Sequence, residues 1–240
     1  MLISGYLFDN LISLMDANDI LMSESYLETL KRIHDFFLPK MYLEIGIRHG
    51  KSLALASPET SCIGIDPEPE ISVPVHKNTL IFPMTSDMFF STVHADIIDP
   101  GSLDIAFIDG MHLFEYALRD FINIEKYCHD TSVIILHDCF PVDYESSQRT
   151  RTQLFWTGDV WKMIVALKMY RKDVKISLLD SDPSGLALIS HVDPHSTILR
   201  DLYDTLCDQY IPIHYEWFEK NKGGYFPVID AKTFDFTRIF

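Results

Sequence analysis

Short apolar runs alternate along the chain with segments of helical period, and this alternation sets the expected architecture. Ser25-Tyr-Leu-Glu28 is a capping-box pattern, after which Leu27, Leu30, Ile33 and Phe37 recur at helical spacing until Pro39 closes the segment. Tyr42–Ile45 reads as a first strand, Lys51–Ala56 as the start of a helix, Ser61–Asp66 as a second strand and Thr79–Phe82 as a third. Ser86 or Asp87 is placed to cap a helix running to about Ala95. Leu103–Ile108 predicts a fourth strand, His112–His129 a helix with Ala117, Leu118, Phe121 and Ile122 inward, and Ser132–Leu136 a fifth strand. Strands that are apolar throughout, alternating with helices, indicate a parallel sheet covered on both faces.

The later chain departs from that rhythm. A helix is expected from Asp159 through Leu167, then strands at Val174–Leu179 and Leu186–Ser190. The turn Ser181-Asp-Pro-Ser-Gly185 is too short to join parallel neighbours, so this pair reads as an antiparallel hairpin. Thr197–Gln209 reads as one more helix, followed by a tail rich in aromatic residues, including Tyr215, Trp217, Phe218, Tyr225 and Phe226. The expected organisation is an N-terminal helical appendage over 1–40, a core over 41–192, and a C-terminal helix and aromatic tail over 193–240. Residues 1–22 are apolar with scattered acids and no clear period, which leaves room for packing in a homo-oligomer. The long connection 139–157 carries Arg149, Arg151, Phe155 and Trp156, and is expected to be an ordered lid.

Charge and cysteine content narrow the partners. The net charge of −15 disfavours a nucleic-acid backbone or an anionic membrane and favours a small organic or cationic substrate. The cysteines Cys62, Cys128, Cys139 and Cys207 form no CxxC pair, which points to a reduced, cytoplasmic setting. No apolar run reaches the roughly 18–20 residues of a membrane span, and no basic stretch precedes the apolar start as in a signal peptide.

In a parallel sheet, ligands bind outside the C-terminal ends of the strands. The residues to weigh there are Glu44 with the Gly46–Gly50 turn, Asp66, Thr85–Asp87, Asp109 with His112, and His137 with Asp138. Asp66, at the tip of the second strand, is placed either to hold the hydroxyls of a ribose or to serve as a helix N-cap, a role that the following Pro67 weakens. Ser86 and Asp87 serve better as caps, with their backbone free to border a nucleobase. If the fourth and fifth strands are neighbours, Asp109 and Asp138 lie close together with His112 and His137 beside them. Such a group suits a general base or a metal site; equally, Asp109 could bind backbone N–H groups and His137 could be a satisfied strand-end histidine.

The run Leu43-Glu-Ile-Gly-Ile-Arg-His-Gly-Lys-Ser52, then Gly64-Ile-Asp-Pro67, Phe107-Ile-Asp-Gly-Met-His-Leu-Phe-Glu-Tyr116 and Ile135-Leu-His-Asp138, resembles class I S-adenosylmethionine-dependent methyltransferases. Within them it is most similar to the branch that includes cephalosporin-hydroxylase-like and macrolide-sugar O-methyltransferases. The resemblance covers 41–138 and is extended by the hairpin. It implies an α/β, Rossmann-like methyltransferase fold: a mostly parallel seven-stranded sheet with an antiparallel C-terminal hairpin strand and helices on both faces. It also implies cofactor roles. Glu44, Gly46, Arg48 and Gly50 would flank the methionine part of S-adenosylmethionine, Asp66 the ribose, and Thr85, Ser86 and Asp87 the adenine. Asp109 would belong to the cofactor site and, with Asp138, would bind a divalent cation, usually magnesium. His137 replaces a further acidic ligand of some members, so His112, His137 and Asp109 become the expected catalytic groups. Arg48 stands where many members carry a glycine.

The expected activity is O-methylation of a sugar or other small hydroxylated compound. Three alternatives are an NAD-dependent oxidoreductase, a metal hydrolase built on Asp109, His112, His137 and Asp138, and a non-catalytic binding protein retaining the fold. The oxidoreductase lacks a G-x-G-x-x-G run, since Gly46 and Gly50 give only G-x-x-x-G.

Overall fold

The computed structural model describes residues 23–240, so the oligomer-packing expectation for 1–22 lies outside the described residues. Helix α1 (Tyr26–Phe37) starts with the capping box read from the sequence: Ser25 Oγ accepts from the Glu28 N–H and the Glu28 carboxylate takes the Ser25 N–H. Left-handed Leu38 ends it just before Pro39.

Eight strands form one sheet in the order β3-β2-β1-β4-β5-β7-β6-β8. They are β1 (Met41–Ile45), β2 (Ser61–Asp66), β3 (Thr79–Pro83), β4 (Leu103–Ile108), β5 (Cys128–His137), β6 (Lys175–Leu179), β7 (Leu186–Ser190) and β8 (Val228–Ile229). The first five pair in parallel, β7 runs antiparallel to both β5 and β6, and β8 pairs in parallel with β6. The expected seven strands become eight because the aromatic tail folds back and adds β8 at the sheet edge. The remaining α-helices among the described residues are α2 (Ser86–Thr92), α3 (Phe114–Glu125), α4 (Trp161–Tyr170), α5 (Ile198–Asp201), α6 (Tyr203–Tyr210) and α7 (Tyr215–Tyr225).

Three helix expectations are corrected. Lys51–Ala56 forms only a single 3-10 turn at Leu53–Leu55, because Pro58 leaves too short a stretch to nucleate an α-helix. The segment 112–129 is helical only from Phe114 to Glu125: His112 takes a left-handed conformation (φ 56°) and the chain re-enters the sheet at Cys128. The helix over 197–209 is divided at Leu202 into α5 and α6.

Each sheet face buries its own apolar core. Leu30, Ile33, Tyr42, Phe107, Ile135 and Phe236 pack on the α1 side. Leu43, Ile108, Phe121, Leu136 and Ile164 pack on the side of α3 and α4. In the register, Glu44 lies opposite Phe107 and Phe107 opposite Ile135. Side chains alternate along a strand, so two residues further on, Gly46, Asp109 and His137 leave adjacent strands on the α1 face. That is how residues distant in sequence come to share one edge.

Candidate active site

The first wall of the site is the turn after β1. Gly46 has φ 88°, and a Cβ there would lie 2.0 Å from the Asp109 carbonyl oxygen, so no side chain fits. Beneath it Glu44 is fully buried, accepting from Tyr42 Oη at 2.8 Å and from the Ser52 hydroxyl. Burial pushes its carboxyl up to about 8. Asp66 ties the turn to β2: its Oδ2 accepts the Arg48 N–H and its Oδ1 the Glu68 N–H, both at 2.8 Å.

The centre lies at the ends of β4 and β5, where the structure brings four of the expected residues together. His137 Nδ1 is 3.0 Å from Asp109 Oδ1, and His112 Nδ1 is 2.8 Å from Asp138 Oδ2. His112 Nε2 reaches Asp109 Oδ1 at 3.4 Å, and His137 Nδ1 is 3.7 Å from Asp138 Oδ1. Burial disfavours charge on both imidazoles, yet the two carboxylates outweigh it and raise both histidines above their ordinary range. Burial would likewise raise Asp109, but His137 and His112 hold it well below the usual carboxylate range. The arrangement is two histidine–carboxylate pairs in contact.

Backbone strain concentrates on the same residues. Arg48, His112 and Asp138 have φ of 39°, 56° and 57°, left-handed conformations that non-glycine residues avoid at a cost of about 1–3 kcal/mol each. Each lies beyond a strand end, and the turns at His112 and Asp138 bring those two side chains to 2.8 Å of one another.

Other elements buttress the cluster. Ser184, in the β6–β7 turn, donates to Asp138 Oδ1 at 2.5 Å. Tyr26, the first residue of α1, lays its ring on His137 with centroids 4.4 Å apart, and its hydroxyl feels the charges of Asp109, Glu44 and Asp138. Sequence reasoning missed both; only the fold joins α1 and the hairpin to the strand ends. Below the cluster a cavity of 10 Å³, room for one water, is lined by Asp109, His137, Asp138 and Asp120. Burial pushes the Asp120 carboxyl up to about 7.

The segment 139–157 is folded against this edge. Trp156 stacks on the His112 ring (5.3 Å, interplanar angle 8°) and its carbonyl oxygen lies 2.8 Å from His112 Nδ1. Arg149 grips both Glu115 carboxylate oxygens (3.0 and 2.6 Å) and also Asp159 Oδ2 (2.7 Å). Asp159, buried beside Lys162, accepts the Phe114 N–H at 2.7 Å and so caps α3. A Cβ at Gly158 would sit 1.8 Å from the His112 carbonyl oxygen, which is how closely this segment approaches the cluster. On its other side, a 360 Å³ cavity is lined by Ser147, Thr150, Thr152, Trp161, His214 and Tyr215, among others.

Among the described residues the Thr85–Asp87 turn makes no hydrogen bond to Asp109, His112, His137 or Asp138. Thr85, rather than Ser86 or Asp87, caps α2, its Oγ1 accepting the Met88 N–H at 3.2 Å. The Asp87 carboxylate is held by Arg119 through two hydrogen bonds of 2.9 and 2.8 Å, so its side chain is engaged within the protein.

Asp109, His137 and Asp138 offer donor atoms within 4.8 Å of one another, a set that fits a divalent cation. An imidazole among the donors suits manganese or zinc better than the all-oxygen shell magnesium prefers. Among the described residues no helix is long and apolar enough to cross a membrane.

Residues 43–139 match the family described as "Methyltransferase domain". No curated protein matches the sequence. The cofactor-bound Rv0187 protein from MTB is 13% identical with a TM-score of 0.55, over 78% of this chain and 89% of its own. The O-methyltransferase from Bacillus cereus, in complex with SAH, is 16% identical with a TM-score of 0.51, over 77% and 87%. TomG from Streptomyces achromogenes, an O-methyltransferase involved in tomaymycin synthesis and in complex with SAM, is 14% identical with a TM-score of 0.50, over 67% and 77%. At these identities the likeness is one of fold.

Proposed function

We propose that this chain is a class I methyltransferase that transfers the methyl group of S-adenosylmethionine to a hydroxyl of a sugar or other small hydroxylated compound, a reading supported by the methyltransferase-domain match over 43–139 and by the fold it shares with O-methyltransferases. The observation that carries this reading is the convergence of Glu44, Gly46, Asp109, His112, His137 and Asp138 at the C-terminal edge of β1, β4 and β5, within the matched segment. The turn Gly46–Gly50, with Glu44 and Arg48, lines the methionine part of the cofactor. Asp66 keeps lone pairs for the ribose hydroxyls, and the backbone of Thr85, Ser86 and Asp87 borders the adenine. The Asp87 carboxylate takes no part, because Arg119 holds it.

Methyl transfer from a sulfonium is an in-line displacement. The acceptor oxygen forms a bond to the methyl carbon as the carbon–sulfur bond breaks, leaving S-adenosylhomocysteine, and the hydroxyl proton must be taken up. S-adenosylmethionine, when bound here, would supply a positive charge that favours the neutral form of His112, the proton passing to solvent. His112, more exposed than His137, then receives the acceptor proton, with Asp138 and Asp109 orienting its ring. A divalent cation, when held by Asp109, His137 and Asp138, would lower the pKa of the hydroxyl.

Isothermal titration with S-adenosylmethionine tests the first half of the proposal. Absence of binding to the folded protein at millimolar cofactor rejects it.

A further inference from the structure

The methionine end of S-adenosylmethionine is a zwitterion, and the wall assigned to it above is acidic. Asp109 and Asp138 suit an ammonium group. The carboxylate at the same end needs hydrogen-bond donors; the exposed Arg48 guanidinium is one candidate, and the buried side-chain donors around Glu44, Asp109 and Asp138 are already engaged. Tyr42 and Ser52 donate to Glu44, Ser184 donates to Asp138, and His137 pairs with Asp109. The Tyr26 hydroxyl differs: half-buried at this edge, it finds no hydrogen-bond partner among the described residues. A phenol is a donor at neutral pH.

Its position is fixed from two sides. The ring lies against His137. The Tyr26 N–H donates to the Asp182 carbonyl at 2.9 Å, the Asp182 N–H donates to Glu24 at 2.8 Å, and the Thr29 and Ser181 hydroxyls meet at 2.7 Å. Helix α1 is thereby docked on the same hairpin turn whose Ser184 holds Asp138.

We infer that Tyr26 is a cofactor-binding residue, its hydroxyl donating to the carboxylate of the methionine moiety. This inference rests on the S-adenosylmethionine reading. It makes α1, which lies outside the matched segment, part of the binding site.

Titration calorimetry of the wild type and Tyr26→Phe with S-adenosylhomocysteine and with 5′-methylthioadenosine, which lacks the amino-acid tail, tests it. Phenylalanine keeps the ring on His137 and removes only the hydroxyl; a thermal melt confirms that the variant folds. The expected result is a loss of about tenfold to a hundredfold in affinity for S-adenosylhomocysteine, the range for a hydrogen bond to a charged group, with methylthioadenosine affinity changed less than twofold. Unchanged S-adenosylhomocysteine affinity, or equal losses for both ligands, overturns the role of Tyr26 and leaves the methyltransferase reading standing. A wild type that binds neither ligand overturns both.

Discussion

Gly46 and Asp109 meet backbone to backbone: the place of a Gly46 Cβ is 2.0 Å from the Asp109 carbonyl oxygen and 2.9 Å from Gly110 Cα. The turn after β1 and the end of β4 thus form one continuous surface. Gly46→Ala has to force them apart while holding alanine at φ 88°. We expect a loss of on the order of 3 kcal/mol in urea unfolding, together with loss of S-adenosylmethionine binding. A variant with wild-type stability would show that the contact yields easily.

Glu44 gives the fold a pH dependence of definite sign. Its carboxyl is raised from 4.5 to about 8 by burial. Below the lower value both folded and unfolded states hold the proton and stability is at its fullest. Between the two, the unfolded chain ionises while the folded one does not, so stability falls as pH rises, by on the order of 1 kcal/mol per unit. Above the upper value the loss is complete. Asp120, raised to about 7, acts in the same direction. Urea midpoints between pH 5 and 8 should fall for the wild type and fall less steeply for Glu44→Gln; parallel slopes would contradict this account.

His34 acts in the opposite direction. It is buried against Tyr42 with neither ring nitrogen hydrogen-bonded among the described residues, and burial pulls it from 6.5 down to about 4. Its contribution is intact above the ordinary value and is lost as pH falls through the depressed one, because the unfolded chain takes up the proton first. His34→Phe should add about 1–2 kcal/mol at pH 7 by removing unsatisfied polar atoms. It should also shrink the loss of stability between pH 6.5 and 4, read from thermal melts across that range.

Arg149 fastens the segment 139–157 to α3 through Glu115 and to Asp159. If this segment is a lid, Arg149→Ala frees it while Lys162 still neutralises Asp159. Trypsin cleavage at the exposed Arg151 should then rise several-fold, on the order of 1 kcal/mol of local opening. In the wild type, cofactor and acceptor together should slow the same cut. Cleavage that responds to neither change would mark the segment as a fixed wall.

Much of this architecture was legible in the chain because it is written locally. The apolar strands lie between prolines, glycines and acids, the Ser25–Glu28 box is a four-residue signal, and the short 181–185 turn permits only an antiparallel hairpin. The grouping of Asp109 with Asp138 and both histidines followed from placing their strands side by side. What escaped were features made by distance in sequence. β8 is two residues long, and nothing about Val228–Ile229 marks it until β6 lies alongside. Tyr26 looked like one more residue in an amphipathic helix. Asp87 reads as a helix cap, yet Thr85 takes that place and Asp87 pairs with Arg119 of α3, while Arg149 reads as a loop cation until Glu115 and Asp159 come beside it. The helix expected after Lys51 failed for a local reason, the proline at 58, that the glycine turn before it overshadowed.

The left-handed backbone at Arg48, His112 and Asp138 divides selection for folding from selection for chemistry. A chain chosen for durability alone would carry glycine at all three, relieving the strain and giving up the charged groups. Screens for thermostable variants of this protein should therefore return inactive survivors enriched at these positions, so that tolerance mapped by stability and tolerance mapped by turnover diverge most where the strands end.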